Sequence, residues 1–246
     1  MEKILSITLA LIFCQACTPA EIQPLPDPLA NLPVKTAQQI YDEADYFVMI
    51  EGSRYADGDF QSFKLSGFLL QYADTYYIVT AGHIKKPGQI ISEPLRVTLK
   101  NETNRYYHAK ILAIDNDYDV AILKIGSDAF DFRGNIGKFG NSDLVELDDP
   151  VISIGNPPGH DWHLSTGKVL SRNYRNYKNV AKHIQHSAWG GHGSSGGPLL
   201  NRYGQIIGMN ISMKTASIDE TSSNRINALP AKYIQRFLEK VLQNPH

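Results

Sequence analysis

Apolar and β-branched residues along this chain gather in short runs, not at helical spacing. Tyr46 to Glu51, Phe63 to Leu70, Thr75 to Thr80, Leu95 to Leu99, Tyr106 to Ile114 and Val120 to Ile125 are separated by Gly, Asn and Asp, which predicts six strands. A more polar, glycine-bearing passage, GSDAFDFRGNIGKFGNSD, breaks the series. A second set follows: Val151 to Ile154, His163 to Leu170, His183 to Ser187, Pro198 to Leu200, Ile206 to Ile211 and Arg225 to Ala228. The expected fold class is all-β, in two lobes of similar length.

The period changes near the C-terminus. In LPAKYIQRFLEKVLQN the apolar Tyr233, Ile234, Phe237, Leu238, Val241 and Leu242 recur at helical spacing behind Pro230. That predicts a C-terminal helix with its apolar face on the second barrel. A shorter helix is predicted over Val34 to Ala44.

The first residues follow a different logic. In MEKILSITLALIFCQACTPAE one lysine precedes an apolar run from Ile4 to Phe13, the layout of a secretory signal peptide and too short for a bilayer span. Ala16 before Cys17, with Thr18-Pro19 after it, resembles a bacterial lipoprotein cleavage box, although Cys14 stands where leucine is usual. The expectation is lipidation of Cys17, with an ordinary cleaved signal as the alternative. Pro19, Pro24, Pro26, Pro28 and Pro33 then mark an extended tether. The expected organisation is a signal over 1–17, a tether over 18–34, a first β lobe over 35–126, and a second β lobe with its helix over 127–246.

Composition narrows the class without changing the picture. Of 246 residues, 42% are apolar and 20% charged, as in a globular protein. Lys and Arg number 24 against 25 Asp and Glu, with no like-charge run, so nucleic acid is not an expected partner. Cys14 and Cys17 are the only cysteines, so a mature chain keeping at most Cys17 forms no internal disulfide.

The candidate chemistry lies in GHGSSGGPLLN, Gly191 to Asn201. By itself such a stretch reads as a turn. Hydroxyl attack on an acyl carbon needs a base, a group to orient it, and donors for the oxyanion. YYIVTAGHI places His83 just past a strand, and DNDYDVAILKI places Asp119 directly ahead of another. Each alone has an ordinary reading, as a strand-end histidine or a turn-capping aspartate. GSSGG also satisfies the G-x-S-x-G elbow of α/β-hydrolases, whose triad runs Ser, acid, His. Here the only histidine after Ser195 is His246, and strands and helices do not alternate, so that reading fails. His160, His163, His183, His186 and His192 match no zinc spacing and read as surface or cleft residues. No metal or cofactor is expected.

TAGH, DYDVAILKI, ISIGNPPG with LSTGKVLS, IQHSAWGGHGSSGGPLLN, GQIIGMNIS and INALPAKYI together resemble the trypsin-like serine proteases. Among these the chain is most similar to the disulfide-free bacterial HtrA (Deg) and glutamyl-endopeptidase-like enzymes, over about four fifths of its length. The resemblance implies a chymotrypsin-like fold of two antiparallel six-stranded β-barrels with a C-terminal α-helix, and a serine endopeptidase with His83 as base, Asp119 as its orienting carboxylate and Ser195, not Ser194, as nucleophile. It also implies an oxyanion hole from the amides of Gly193 and Ser195, with Gly196 and Gly197 giving room for the turn. Ser194 stands where Asp or Asn is common. The chain left after Ala228 is too short for the PDZ module of many HtrA enzymes.

In such a family the specificity pocket would be walled by Trp189, Gly190, Gly191 and His192, and an extended polypeptide would pair near Asn210, Ile211 and Ser212. Trp189 stands where enzymes that cut after Lys or Arg carry an acid, so that preference is not expected. No histidine near Asn210 supports a Glu preference, which leaves small or apolar residues. Trp189 lining the pocket, blocking it, or turning into the core remain open alternatives. Ile211 replaces a Ser or Thr that supports the triad carboxylate in many relatives. The alternative to an enzyme is a catalytically silent protein that keeps the triad but binds peptide without turning it over, its pocket filled by Trp189.

Overall fold

The computed structural model describes residues 32–56, 58–126, 130–175, 180–214 and 225–243. The signal, Cys17 and nearly all of the tether lie outside them.

The first half forms β1 (Phe47–Ala56), β2 (Asp59–Tyr72), β3 (Thr75–Ala81), β4 (Ile90–Ile91), β5 (Leu95–Leu99), β6 (Tyr107–Asp115) and β7 (Val120–Ile125). The sheet runs β2-β3-β7-β6-β5-β1 and closes because β1 also pairs with β2 from Phe47↔Phe68 to Ala56↔Asp59. All its pairs are antiparallel, and the two-residue β4 adds only to β1.

Six further strands close the second barrel: β8 (Pro150–Gly155), β9 (His163–Arg175), β10 (Lys182–His186), β11 (Pro198–Leu200), β12 (Ile206–Lys214) and β13 (Arg225–Pro230). Closure leaves neither barrel with a long unpaired edge.

The hairpin β1–β2 is longer than the apolar pattern predicts. Its tip residues Asp59 to Ser62 are exposed, so no buried face imposes apolar alternation there. The predicted helix at Val34 to Ala44 shortens to α1 (Ala37–Asp42). Thr36 starts it with a capping box, its hydroxyl taking the Gln39 amide while Gln39 takes the Thr36 amide. The C-terminal helix forms as α2 (Ala231–Gln243), with Ala231, Ile234 and Leu238 buried.

One cluster of buried side chains fills the first barrel with Phe47, Ile50, Phe68, Leu69, Val97, Ile122 and Leu123. It continues through Ile154, Leu200, Ile206, Met209 and Leu229 of the second barrel to Ile234 and Leu238. At about 1.5–3 kcal/mol for each large apolar side chain buried, this cluster dominates the favourable side of folding. A smaller set within the second barrel includes Val151, Val169, Ile184, Leu199 and Ile207. Phe130 and Phe132 of the interrupting passage pack on Tyr76 and Tyr107, so part of that passage is core and not linker.

Candidate active site

His83 sits in a single 3-10 turn, Gly82–Ile84, immediately after β3. Its Nδ1 lies 2.9 Å from Asp119 Oδ2 and 3.1 Å from Oδ1, and its backbone N–H donates to Oδ1 at 2.7 Å. One carboxylate therefore holds both the ring and the main chain of the histidine. Asp119 has φ +58°, a left-handed conformation that aspartate tolerates better than most residues. The turn before it is built by Asp115, whose Oδ1 accepts from the amides of Asp117 and Tyr118 at 2.9 and 3.0 Å. The approach is close enough that a Cβ on Gly82 would fall 2.7 Å from the Val120 nitrogen, which explains the glycine of TAGH.

The second barrel supplies the turn that carries Ser195, and this turn is seated on the first. Ser66 of β2 donates its amide to the Ser195 carbonyl at 2.9 Å and its hydroxyl to the Gly193 carbonyl at 2.8 Å. That hydroxyl also accepts the Asn156 amide at 2.9 Å, while the Ser66 carbonyl accepts from Thr80 Oγ1 at 2.7 Å. Gly196 has φ +88°, and a Cβ there would lie 2.0 Å from the Ser66 carbonyl oxygen. Ser66 was missed from the sequence because nothing separates it from any other small residue within an apolar strand.

Ser194 is buried, its Oγ accepting the Gly191 amide at 3.2 Å. Ser195 is the more accessible of the pair. Among the described residues no hydrogen bond joins Ser195 Oγ to His83, a contact that free enzymes often tighten only when substrate binds. The amides of Gly193 and Ser195 likewise donate to no internal acceptor among the described residues, so both are available to an anion.

Other expected pocket residues divide into two groups. Gly190 is buried, Gly191 partly exposed and His192 exposed. Trp189 is 41% exposed and does not enter the core, its indole lying edge-on to His163 and His160 with ring centroids 4.7 and 5.7 Å away. Its carbonyl accepts from Ser165 Oγ at 2.9 Å.

Asn210 departs from the expected substrate surface. It is 2% exposed, bonded through its side chain to His186 Nε2 at 3.0 Å and Ser153 Oγ at 2.8 Å. Its carbonyl accepts the Gly196 amide at 2.7 Å and its amide donates to the Gly197 carbonyl at 2.9 Å, so it fixes the turn that carries Ser195 from behind. Ile211 is buried at a register shift between Asn210 and Ser212, its side chain in the shared core. Ser212 is exposed, and its hydroxyl accepts from Asn227 Nδ2 at 3.3 Å.

Two histidines expected at the surface or in the cleft are buried instead. His186 is fully enclosed, and burial lowers its pKa to about 4, partly opposed by its bond to Asn210. His183 is also buried and its pKa lowered, chiefly by desolvation. Among the described residues no group of three or more His, Cys, Asp or Glu side chains is arranged to hold a metal ion.

Comparison with known proteins matches this architecture. Residues 65–209 match the family model "Trypsin-like peptidase domain". A Chlamydia trachomatis protein, "Probable periplasmic serine endoprotease DegP-like", is 35% identical over 155 residues, covering 62% of this chain and 29% of that one. The "Periplasmic pH-dependent serine endoprotease DegQ" of Escherichia coli is 28% identical over 178 residues, covering 71% of this chain and 37% of DegQ. This chain thus spans well under half the length of these relatives. The solved structure "HtrA-type protease AlgW with tripeptide" superposes with a TM-score of 0.67 at 22% identity, over 85% of this chain and 64% of that one. With the family model covering more than half of its residues and both barrels closed as in an HtrA-type fold, the chain belongs to the trypsin-like peptidase family.

Proposed function

We propose that this protein is a serine endopeptidase. The observation that carries the reading is the double hold of Asp119 on His83, by amide and by Nδ1, because it orients an imidazole with Nε2 left to act as base. His83 Nε2 takes the proton of Ser195 Oγ as that oxygen attacks the peptide carbonyl. The amides of Gly193 and Ser195 receive the negative charge of the tetrahedral intermediate. Imidazolium then protonates the leaving amine, and water, deprotonated in turn by His83, releases the acyl group and restores Ser195. An extended polypeptide is the substrate class, and the absence of an acid at Trp189 disfavours cleavage after Lys or Arg.

Digestion of casein by the wild type beside Ser195→Ala tests this. The expected result is loss of at least about 10³-fold in rate, the scale on which removing a triad nucleophile acts. Equal digestion by both would overturn the reading. The missing hydrogen bond between Ser195 and His83 favours one second reading, a silent peptide-binding protein, and an inert wild type that still binds peptide would establish it.

The matched relatives named as periplasmic support an exported protein, and the leader supports a lipid anchor on Cys17. Among the described residues no helix is long and apolar enough to cross a membrane. Mass spectrometry of the mature N-terminus should find a diacylglyceryl group on Cys17. An unmodified terminus elsewhere would mean simple secretion.

A further inference from the structure

Beside the turn that carries Ser195 three flat rings meet, with no polar partner of their own among the described residues. His160 and His163 have centroids 5.8 Å apart, and both lie edge-on to Trp189 at 5.7 and 4.7 Å. His160 and Trp189 are exposed, and His163 is partly so. Neither imidazole is hydrogen-bonded among the described residues.

The position of these rings ties them to substrate. The loop from Asn156 to Trp162 wraps the nucleophile turn so closely that a Cβ on Gly193 would stand 2.3 Å from the Asn156 carbonyl oxygen, and one on Gly191 3.6 Å from the Pro157 ring. The other charges around the loop are already matched. Asp161 pairs with Lys64 of β2, and α1 contributes the neutral Tyr41 hydroxyl, which donates to the Trp162 carbonyl at 2.8 Å. Trp162 turns inward, edge-on to Phe47 at 5.6 Å. His192, exposed on the same turn as Ser195, is a further titratable side chain nearby.

We propose that His160 and His163, framed by Trp189, form a receptor for the carboxylate of an acidic side chain in the bound peptide. The proposal rests on the proteolytic reading for its place beside the scissile bond. Each neutral imidazole offers one N–H, and protonation converts those donors into charge-assisted ones. Desolvation and the neighbouring His160 both lower the pKa of His163, a burden that an anion between the rings would relieve. Two imidazoles would also suit a transition metal, but no third His, Cys, Asp or Glu joins them among the described residues.

The test reads binding on Ser195→Ala, which does not depend on turnover. Two fluorescein-labelled unstructured peptides, identical except that four Glu residues in one are Gln in the other, are titrated by anisotropy in EDTA at pH 6 and pH 8. The acidic peptide should bind about tenfold tighter at pH 6, the scale of one charge-assisted hydrogen bond, with the ratio shrinking at pH 8. In the added background of His160→Gln with His163→Gln the ratio should fall to near one, and in the exposed single variant His160→Gln it should fall part of the way. Equal binding of the two peptides, a ratio unchanged in these variants, or a ratio that appears only with added zinc would overturn the proposal. Casein digestion with a flat ratio sinks the receptor alone, whereas an intact ratio on a protein that digests nothing sinks the proteolytic reading alone.

Discussion

Asp119 and Ser66, both from the first barrel, do comparable work for the two parts of the candidate site. The carboxylate takes two donors from one residue and fixes an imidazole, while the serine uses its amide, hydroxyl and carbonyl to seat the turn that carries Ser195. His186 shows how such a site depends on buried polar groups further in. Its bond to Asn210 links it to the residue that holds Gly196 and Gly197. With a folded pKa of about 4 against about 6.5 unfolded, the unfolded chain binds the proton more readily between those values. Stability from this residue is therefore full above about pH 6.5 and is lost as pH falls towards 4, by about 3 kcal/mol at most. Urea unfolding at pH 7 and pH 4 should show this loss in the wild type and a smaller one in His186→Gln, whereas equal losses would place the acid sensitivity elsewhere.

At the level of elements, the periods in the sequence located the barrel strands because each has at least one buried face. Val120 to Ile125 and Pro198 to Leu200 are almost wholly buried and read plainly as apolar runs. The outer halves of β1 and β2 extend into solvent, where pairing is set by the backbone and not by apolar alternation, so their length was not legible. α1 ends after six residues because its only buried side chain is Ile40, too little apolar surface to hold a longer helix. The candidate site divides the same way. His83, Asp119, Gly193 and Ser195 stand in turns whose glycines and acids are visible in one dimension. Asn210 was placed on the substrate strand by resemblance, and its sequence neighbours do not show that Gly196 and Gly197 occupy its carbonyl and amide. His183 and His186 looked like surface residues because a buried imidazole is recognised by its partners, and Asn210 lies 24 residues away.

At the scale of the molecule, two closed barrels share one apolar core, and each contributes part of the site. The turn after β3 and the turn before β7 bring His83 and Asp119 together, while the turn before β11 carries Ser195 with the candidate oxyanion donors. Because that turn bonds directly to β2, the relative placement of the Ser195 hydroxyl and the His83 imidazole is built into the packing of the barrels. The measurement that tests this most directly is the rate at which a fluorophosphonate modifies the protein, with the modified residue located by peptide mass spectrometry. The account predicts modification of Ser195, slowed at least about 100-fold in His83→Ala, the lower end of what a general base supplies. Modification at another residue, or at Ser195 with an unchanged rate in His83→Ala, would contradict it.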